Sequence, residues 1–177
     1  MVISPMPRGC DVVLPSSRMR TRVGPESTTS PPPGPTIEAL AGVWESPEKA
    51  MEPVAGSDDP VERIGFATEV LLREVLAYQG AVRAMISASV TKPSAAPGRP
   101  GRRFGLIDEA LRPLNATMAV RQPRQFEQLK HGLAVVVSAE ALFTLTDLCG
   151  LPPEAAIASA AQTARSLTAA ALGAAPR

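Results

Sequence analysis

Residues able to do chemistry are sparse in this 177-residue sequence, and most of them fall within residues 126–148. The single histidine, His131, follows Glu127 by four positions and sits beside Lys130. A histidine and a glutamate at that spacing share a helix face and bind a metal ion only if other segments supply further ligands. No other segment shows such ligands at metal-binding spacing. The pattern therefore predicts a surface or half-buried histidine and no metal site.

Ser138 and Glu140 lie further along the same stretch, among apolar residues. A serine without a neighbouring base is not a nucleophile. A carboxylate in apolar surroundings needs a partner if it is buried. We expect Glu140 to pair with Arg165 or with an arginine of a second copy; the alternative is that Glu140 lines a pocket.

The remaining signals also argue against catalysis. The sequence has no glycine-rich phosphate loop and no paired carboxylates typical of an acid–base site. The two cysteines, Cys10 and Cys149, are far apart, which favours reduced thiols over a disulfide or a metal pair. We expect a protein that is not an enzyme and binds no cofactor, with an enzyme of unknown type as a minor alternative.

The stretch 126–148 itself has the pattern of a helix buried on several sides. Its apolar residues at 3- and 4-residue spacing form one face; they are Phe126, Leu129, Leu133, Val137, Ala141 and Leu148. Other apolar residues of the same stretch point elsewhere, so more than one partner must cover it. Gly150 fits a left-handed helix end, and Pro153 fits the first turn of the next helix.

That next helix, residues 154–172, is dominated by alanine, which lets helix axes approach closely. Two helices with more apolar and small-residue surface than one core can use predict a homodimer. The candidate interface residues are Val136, Leu142, Phe143, Ala160, Ala164 and Leu167.

Two further helices are predicted upstream. The first spans residues 61–89, with Asp59 as its N-cap, Pro60 at its first position and Glu62 closing a capping box. The second spans about 102–115 and is bent or stopped by Pro113. Its inward residues are predicted to be Phe104, Ile107, Leu111 and Leu114.

Polar groups in the middle of an apolar helix face suggest a ligand cavity between the helix at 61–89 and the helix at 126–148. A mostly apolar wall with a few orienting groups is the usual make-up of a small-molecule site. The wall candidates are Tyr78, Gln79, Val82, Met118 and Val135. The alternative for Tyr78 is a position at the helix edge with its hydroxyl in water.

Residues 1–35 differ in composition from the remainder, because eight prolines alternate with serine, threonine, glycine and arginine. Such proline density excludes helix and sheet, so we expect a disordered tail followed by one helical domain, residues 36–173. That domain should begin with a short helix from Thr36 that carries Trp44. Its proline- and glycine-rich segment 92–103 is basic, which is typical of a solvated loop.

Composition limits the partners. A net charge of +1 and 3 % aromatic residues argue against a surface committed to nucleic acid. No signal-peptide pattern is evident, and no run approaches the roughly 18 apolar residues of a spanning helix. These features predict a cytoplasmic protein without a membrane partner.

Two runs, Gly105–Leu114 and Val137–Leu151, resemble the C-terminal half of TetR-family transcriptional regulators. An alanine-rich helix like residues 155–172 closes the pattern in that family. The resemblance implies an all-α, multi-helix effector-binding domain that dimerises through its last two helices as a four-helix bundle. It also implies a pocket for a small apolar effector.

The N-terminal part departs from the family. TetR-family regulators carry a helix-turn-helix before this domain, where the present sequence has its proline-rich segment. We expect DNA contact only through a helix-turn-helix that is not seen in this chain, because base readout requires a helix or ribbon in the groove. The alternative function is a helical interaction module that forms heterodimers with intact regulators.

Overall fold

Helices make up almost all of the regular structure in the computed structural model, which describes residues 44–91 and 101–173. Over these residues there are eight α-helices and no strand, so the all-α prediction is confirmed. The helices are α1 (Pro47–Ala50), α2 (Pro60–Ala77), α3 (Gln79–Thr91), α4 (Arg102–Ala110), α5 (Met118–Arg121), α6 (Pro123–Val136), α7 (Ala139–Phe143) and α8 (Pro153–Gly173). Short 3₁₀ turns lie at Glu52–Val54 and Arg112–Leu114, and a π-helical turn lies at Thr144–Leu148. The predicted tail at 1–35, the helix from Thr36 and most of the basic loop lie outside the described residues.

The start of α2 follows local sequence rules. Asp59 Oδ1 accepts a hydrogen bond from the Val61 amide at 2.8 Å, and Pro60 occupies the first helical position, as predicted. In the capping box, however, Ser57 lies between Glu62 and the Asp59 amide and hydrogen-bonds to both. Its Oγ donates to Glu62 Oε2 at 2.6 Å and accepts from the Asp59 amide at 3.3 Å.

The helix predicted over 61–89 is two helices, and this corrects the sequence-based boundary. Tyr78 leaves helical geometry, with φ −114° and ψ 25°, between the end of α2 and the start of α3. The hydrogen bonds on either side persist, since Tyr78 N–H donates to Glu74 O and Val82 N–H donates to Tyr78 O. Gly80 lies in the first turn of α3, and glycine is less favourable than alanine in a helix by about 1 kcal/mol. A break is therefore inexpensive at this point.

The helix predicted over 126–148 is also broken. α6 ends at Val136, and Ser138 is extended, with φ −148° and ψ 153°. Its Oγ accepts a hydrogen bond from the Ala141 amide at 3.0 Å and so caps α7. The axes on the two sides of this break differ by 45°. A serine that offers a local cap outcompetes helix continuation here.

The corner before α8 matches the prediction. Gly150 has a φ of +68°, the left-handed region in which a side chain would be strained. Pro153 is the first residue of α8.

The core lies mainly between α2 and α8, the most extensively packed helix pair. α8 contributes the buried alanines Ala156, Ala160, Ala161 and Ala164. A Cβ placed on Gly65 of α2 would lie 2.1 Å from Arg165 Nε, so the two helices are in close approach. The predicted close packing of the alanine-rich helix is therefore present, and its partner is α2 of the same chain.

Two residues predicted to face inward do not. In α4 and the turn after it, Ile107, Leu111 and Leu114 are buried, but Phe104 is 49 % exposed because Leu106 completes the buried stripe instead. Leu148 is 82 % exposed. It ends the π-helical turn, where an extra residue per turn rotates later side chains off the buried face.

None of the described helices is by itself long and apolar enough to cross a bilayer. Only α6 and the segment Ala139–Leu148, joined across their 45° bend, meet the length and composition of a span.

Candidate functional site

A cavity of about 70 Å³ lies between α2, α3, the start of α4 and the start of α7. We call it the Trp44 cavity. Its apolar wall consists of Leu71, Val75, Val82, Met85 and Ile86. Its polar rim consists of Trp44, Arg102, Arg103, Ser138 and Glu140, with Ala139 between the last two.

The two helix starts supply most of the rim. Arg102 and Arg103 are the first residues of α4, and Ser138 and Glu140 surround the first residue of α7. The break in the predicted long helix therefore has a structural consequence. It turns the backbone at Ser138 so that polar residues, rather than further valines, reach the cavity.

Arg102 anchors the side of the cavity that carries Trp44. Its Nε donates to Glu74 Oε2 at 2.6 Å, and its Nη2 donates to the other carboxylate oxygen. Its Nη1 donates to the backbone carbonyl of Glu45, and its guanidinium carbon lies 5.8 Å from the centroid of the Trp44 ring. A bidentate carboxylate pair of this kind fixes the guanidinium in position. Arg102 thereby lies over the indole and holds the backbone of the residue that follows it.

Arg103 is an ion-pair partner of Glu140, whose side chain is 41 % exposed. Arg103 Nη1 donates to the Ala134 carbonyl at 3.0 Å and lies 3.8 Å from Glu140 Oε2. The predicted pairing of Glu140 with Arg165 is wrong, because Arg165 Nη2 lies 2.9 Å from Glu69 Oε1 on α2. The alternative prediction, that Glu140 lines a pocket, agrees with its place on the rim.

The charged groups of the rim and the Ser138 hydroxyl thus already have partners. Ser138 Oγ donates to the Val135 carbonyl at 2.8 Å and caps α7, so its hydroxyl is used twice. The indole of Trp44 is different: its Nε1–H is buried, and no acceptor for it is found among residues 44–91 and 101–173. Buried donors are normally paired, so this group stands out.

The predicted pocket residues are not brought together, which corrects that part of the sequence analysis. Val82 lines the Trp44 cavity, whereas Met118 lines a separate groove. Val135 is 72 % exposed, Gln79 is exposed, and Tyr78 is half-buried against the core. The break at Tyr78 and the bend after α6 alter the phase of both helices, so positions that share a face in an unbroken helix diverge.

The rim residues Trp44, Arg102 and Arg103 were missed as site residues. A sequence signal existed for the two arginines, since they stand at a helix start, where cations are unfavourable without acidic partners. Their partners, Glu74 and Glu140, lie 28 and 37 positions away and are not recognisable from local spacing.

A second concavity of about 320 Å³ runs between α5, α6 and α8; we call it the α6–α8 groove. It is lined by Met118, Gln125, Gln128, Leu129, Gly132, Leu167 and Ala171. All of these side chains are neutral. Leu167, a predicted interface residue, is 38 % exposed at this groove.

Three predicted interface residues belong to the chain's own core instead. Leu142, Ala160 and Ala164 are buried, the two alanines because α8 packs its alanine face on α2. Their side chains are not available to a second copy, so this part of the prediction is wrong. Val136 and Phe143 are half-buried, and the Arg83 guanidinium covers the Phe143 ring at 3.8 Å from its centroid.

α8 exposes a different set of residues, which we call its outer face. The outer face consists of Ala155, Ala158, Ser159, Gln162, Thr163, Ser166, Ala169 and Ala170. None of these residues is charged. The two charged residues of the helix, Glu154 and Arg165, pair with Arg73 and Glu69 on α2.

A salt bridge links α3 to the turn that precedes α8. Arg83 donates to both carboxylate oxygens of Asp147, at 2.6 and 2.9 Å. These hydrogen bonds lower the pKa of Asp147 and raise the pKa of Arg83. Lys130 makes a comparable bond to Asp108 at 2.8 Å, which raises the pKa of Lys130.

His131 and Cys149 line neither the Trp44 cavity nor the α6–α8 groove. His131 and Cys149 are exposed. Within the part of the chain that the structure describes, no three potential metal ligands come together.

No protein-family model matches this chain, and neither a curated protein nor a solved structure matches it at a significant level. The all-α class therefore rests on the helices themselves, and the resemblance to TetR-family regulators stays a prediction.

Proposed function

We propose that this chain is the ligand-sensing and dimerisation domain of a TetR-type transcriptional regulator, acting in the cytoplasm as a homodimer. The observation that carries the proposal is the outer face of α8. A helix that faces water along its length normally carries charged residues there. α8 instead exposes eight neutral residues, most of them small, beside the α6–α8 groove, and its one exposed charged residue, Glu154, lies in the first turn.

The outer face has the properties of a helix–helix contact. Small side chains allow interaxial distances at the short end of the usual range of about 8–10 Å. Depletion of charge is the compositional signal of the centre of an interface. Leu167 and Ala171 continue the neutral surface from α8 into the groove. A second copy related by a two-fold axis would bring the same helices against each other, since a two-fold interface pairs one patch with itself.

The Trp44 cavity supports the ligand-sensing half of the proposal. It combines an apolar wall with a few polar groups, which is the usual mix in small-molecule sites. One of its walls, α3, is joined through Arg83 to Asp147 in the π-helical turn just before α8. A ligand that displaces α3 would therefore act on a segment that borders the proposed interface.

Sedimentation velocity at micromolar concentration tests the proposal. We expect a dimer for the wild type and a monomer for Ser159→Arg and Ser166→Arg, because either change puts an unpaired charge on the outer face. Ala84→Arg, at an exposed position of α3, is the matched control and should remain dimeric. Circular dichroism should show the same helicity for all four proteins.

A monomeric wild type would refute the homodimer. The same experiment separates the alternative function. A chain that stays monomeric alone but forms a mixed dimer with an intact TetR-type regulator is an interaction module and not a self-contained sensor.

A further inference from the structure

We infer that the α6–α8 groove binds a neutral, mostly hydrocarbon molecule larger than benzene, oriented by the side-chain amides of Gln125 and Gln128. The groove has a volume of about 320 Å³, which is about twice that of an engineered cavity of about 150 Å³ that binds benzene. Small-molecule sites usually have volumes of about 300–1,000 Å³. A molecule of this size does not fit the Trp44 cavity of about 70 Å³, so the groove is a separate site and does not depend on the proposed role of that cavity.

The groove is space that the side chains of the chain itself leave unfilled. On α6 the lining residues follow one helical stripe, in which Gly132 comes three positions after Leu129 and seven after Gln125. A Cβ placed on Gly132 would meet nothing within 4 Å, so this glycine faces empty space. On α8 Ala171 follows Leu167 by one turn. Glycine and alanine thus leave a gap between the helices that larger side chains would close.

The floor of the groove is apolar and continuous with the core. Met118 and Leu129 are each 6 % exposed and belong to the hydrophobic core. Both also line the groove. A hydrocarbon surface placed on this floor is removed from water, which is favourable in proportion to its area. The body of the ligand is therefore hydrocarbon.

The rim offers hydrogen bonds without charge. Gln125 and Gln128 are exposed, and neither side chain has a hydrogen-bond partner among residues 44–91 and 101–173. A carboxamide both donates and accepts, so the pair can hold a hydroxyl, carbonyl or amide group. None of the seven lining residues is charged. A charged ligand would lose part of its hydration without gaining an ion pair, so the lining favours a neutral molecule.

The groove suits a small molecule better than a protein chain. A protein partner usually covers about 20–30 residues on each side, whereas seven residues line the groove. The eight residues of the outer face of α8 are not among them. The ligand and the proposed second copy therefore use neighbouring sets of residues that do not overlap.

Three probes with the same two fused rings test the size, the hydrogen bond and the charge: 2-naphthol, naphthalene and 2-naphthoate. The full chain labelled with ¹³C-methyl methionine reports on each location, because Met118 lines the groove, Met85 lines the Trp44 cavity and Met51 is buried in the core. We expect 2-naphthol to shift only the Met118 signal. Naphthalene should bind about fivefold more weakly, because it lacks the hydroxyl that the amides hold. At equal concentration 2-naphthoate should cause no shift.

Two variants and one control locate the site. Gly132→Leu fills the groove without a clash and introduces a better helix former, so binding of 2-naphthol should weaken at least tenfold while the fold is retained. His131→Leu, at the neighbouring exposed position outside the groove, should bind like the wild type. Combined Gln125→Met and Gln128→Met keep the length of the side chains and remove the amides. This protein should bind 2-naphthol and naphthalene equally.

The inference is overturned if 2-naphthol leaves Met118 unmoved, if it shifts Met85 instead, or if Gly132→Leu binds as tightly as the wild type. Tight binding of 2-naphthoate would reject the neutral class of ligand. If 2-naphthol causes no shift and Gly132→Leu converts a dimer into a monomer in sedimentation, a second copy occupies the groove and the inference is wrong. Failure of the proposed function shows separately, as a monomeric wild type whose Met118 signal still responds to 2-naphthol.

Discussion

Arg63 Nη2 lies 2.9 Å from Glu109 Oε1, and the Arg63 side chain is completely buried. The same guanidinium donates to four backbone carbonyls, those of Val54, Ser57, Glu109 and Ala110. It therefore joins α2 to the 3₁₀ turn after α1 and to the end of α4. A buried arginine satisfied in this way holds elements together and is not a reactive group.

Replacing Arg63 with methionine should lower the free energy of unfolding by about 3–5 kcal/mol, because one partner of a buried pair is left uncompensated. Four carbonyls lose a donor at the same time. Arg112→Met is the control: it removes the exposed partner of the same Glu109 carboxylate, and we expect a loss of less than about 1 kcal/mol. Urea denaturation measures both values. A loss below 1 kcal/mol for Arg63→Met would show that water replaces the guanidinium without difficulty.

The close approach of Gly65 to Arg165 predicts a coupled pair of substitutions. A Cβ on Gly65 would meet the Arg165 guanidinium at 2.1–2.5 Å, so alanine there must displace it from Glu69. Gly65→Ala alone should gain little, because lost contacts offset the helix-propensity gain of about 1 kcal/mol. In an Arg165→Ala background the full gain should appear. A double-mutant cycle measured by urea denaturation would show additive effects if the contact were unimportant.

Two neighbouring residues of α8 should respond oppositely to arginine. Ala164 is buried against the core, and Ser166 lies on the outer face. Ala164→Arg inserts volume and an unpaired charge into packed space, and we expect it to abolish cooperative thermal unfolding. Ser166→Arg should melt within a few degrees of the wild type when both proteins are measured as monomers. If the two variants gave comparable melting curves, the assignment of Ala164 to the buried face and Ser166 to the outer face of α8 would be wrong.

The Arg83–Asp147 pair predicts an acid-sensitive contribution to stability. Hydrogen bonds from Arg83 lower the pKa of Asp147 below its ordinary value of 3.8, so the folded state binds the proton less readily than the unfolded state. The contribution is present above pH 3.8 and is lost as the pH falls through the lowered pKa. The melting temperatures of the wild type and Asp147→Asn should therefore differ at pH 7 and converge in acid. Arg83→Met should show the same narrowing of the difference in acid, with a constant remainder from its lost contact with Phe143. A difference from the wild type that is the same at all pH values for both variants would contradict the assignment.

Local sequence rules predicted the parts of this fold that depend on neighbouring residues. The Asp59 cap, the left-handed Gly150 and Pro153 at a helix start each follow from a backbone requirement that the sequence states directly. The breaks at Tyr78 and Ser138 could not be predicted in this way, because the apolar period continues through both. Gly80 and the cap offered by Ser138 make a break inexpensive at these positions, but the sequence does not show whether the break is used, because that also depends on tertiary packing.

The same limit explains the site. Periodicity identified the alanine face of α8 as a packing surface, but it does not say whether the partner is α2 or a second copy. The Trp44 cavity depends on Arg102 reaching Glu74 across 28 positions, and the buried Arg63 depends on Glu109 across 46. Contacts over such separations leave no local pattern, so neither residue was recognised from the sequence.

The pairing of α2 with α8 has a consequence for how the chain reaches its native state. Glu69 and Arg165 are 96 positions apart, so the central packing contact forms only after a loop of that length has closed. Folding rates fall as the sequence separation of native contacts rises, and this chain should fold more slowly than helical bundles built from adjacent hairpins. During synthesis the apolar stripe of α2 leaves the ribosome long before α8 does. Until then that stripe is exposed to chaperones and to other nascent chains.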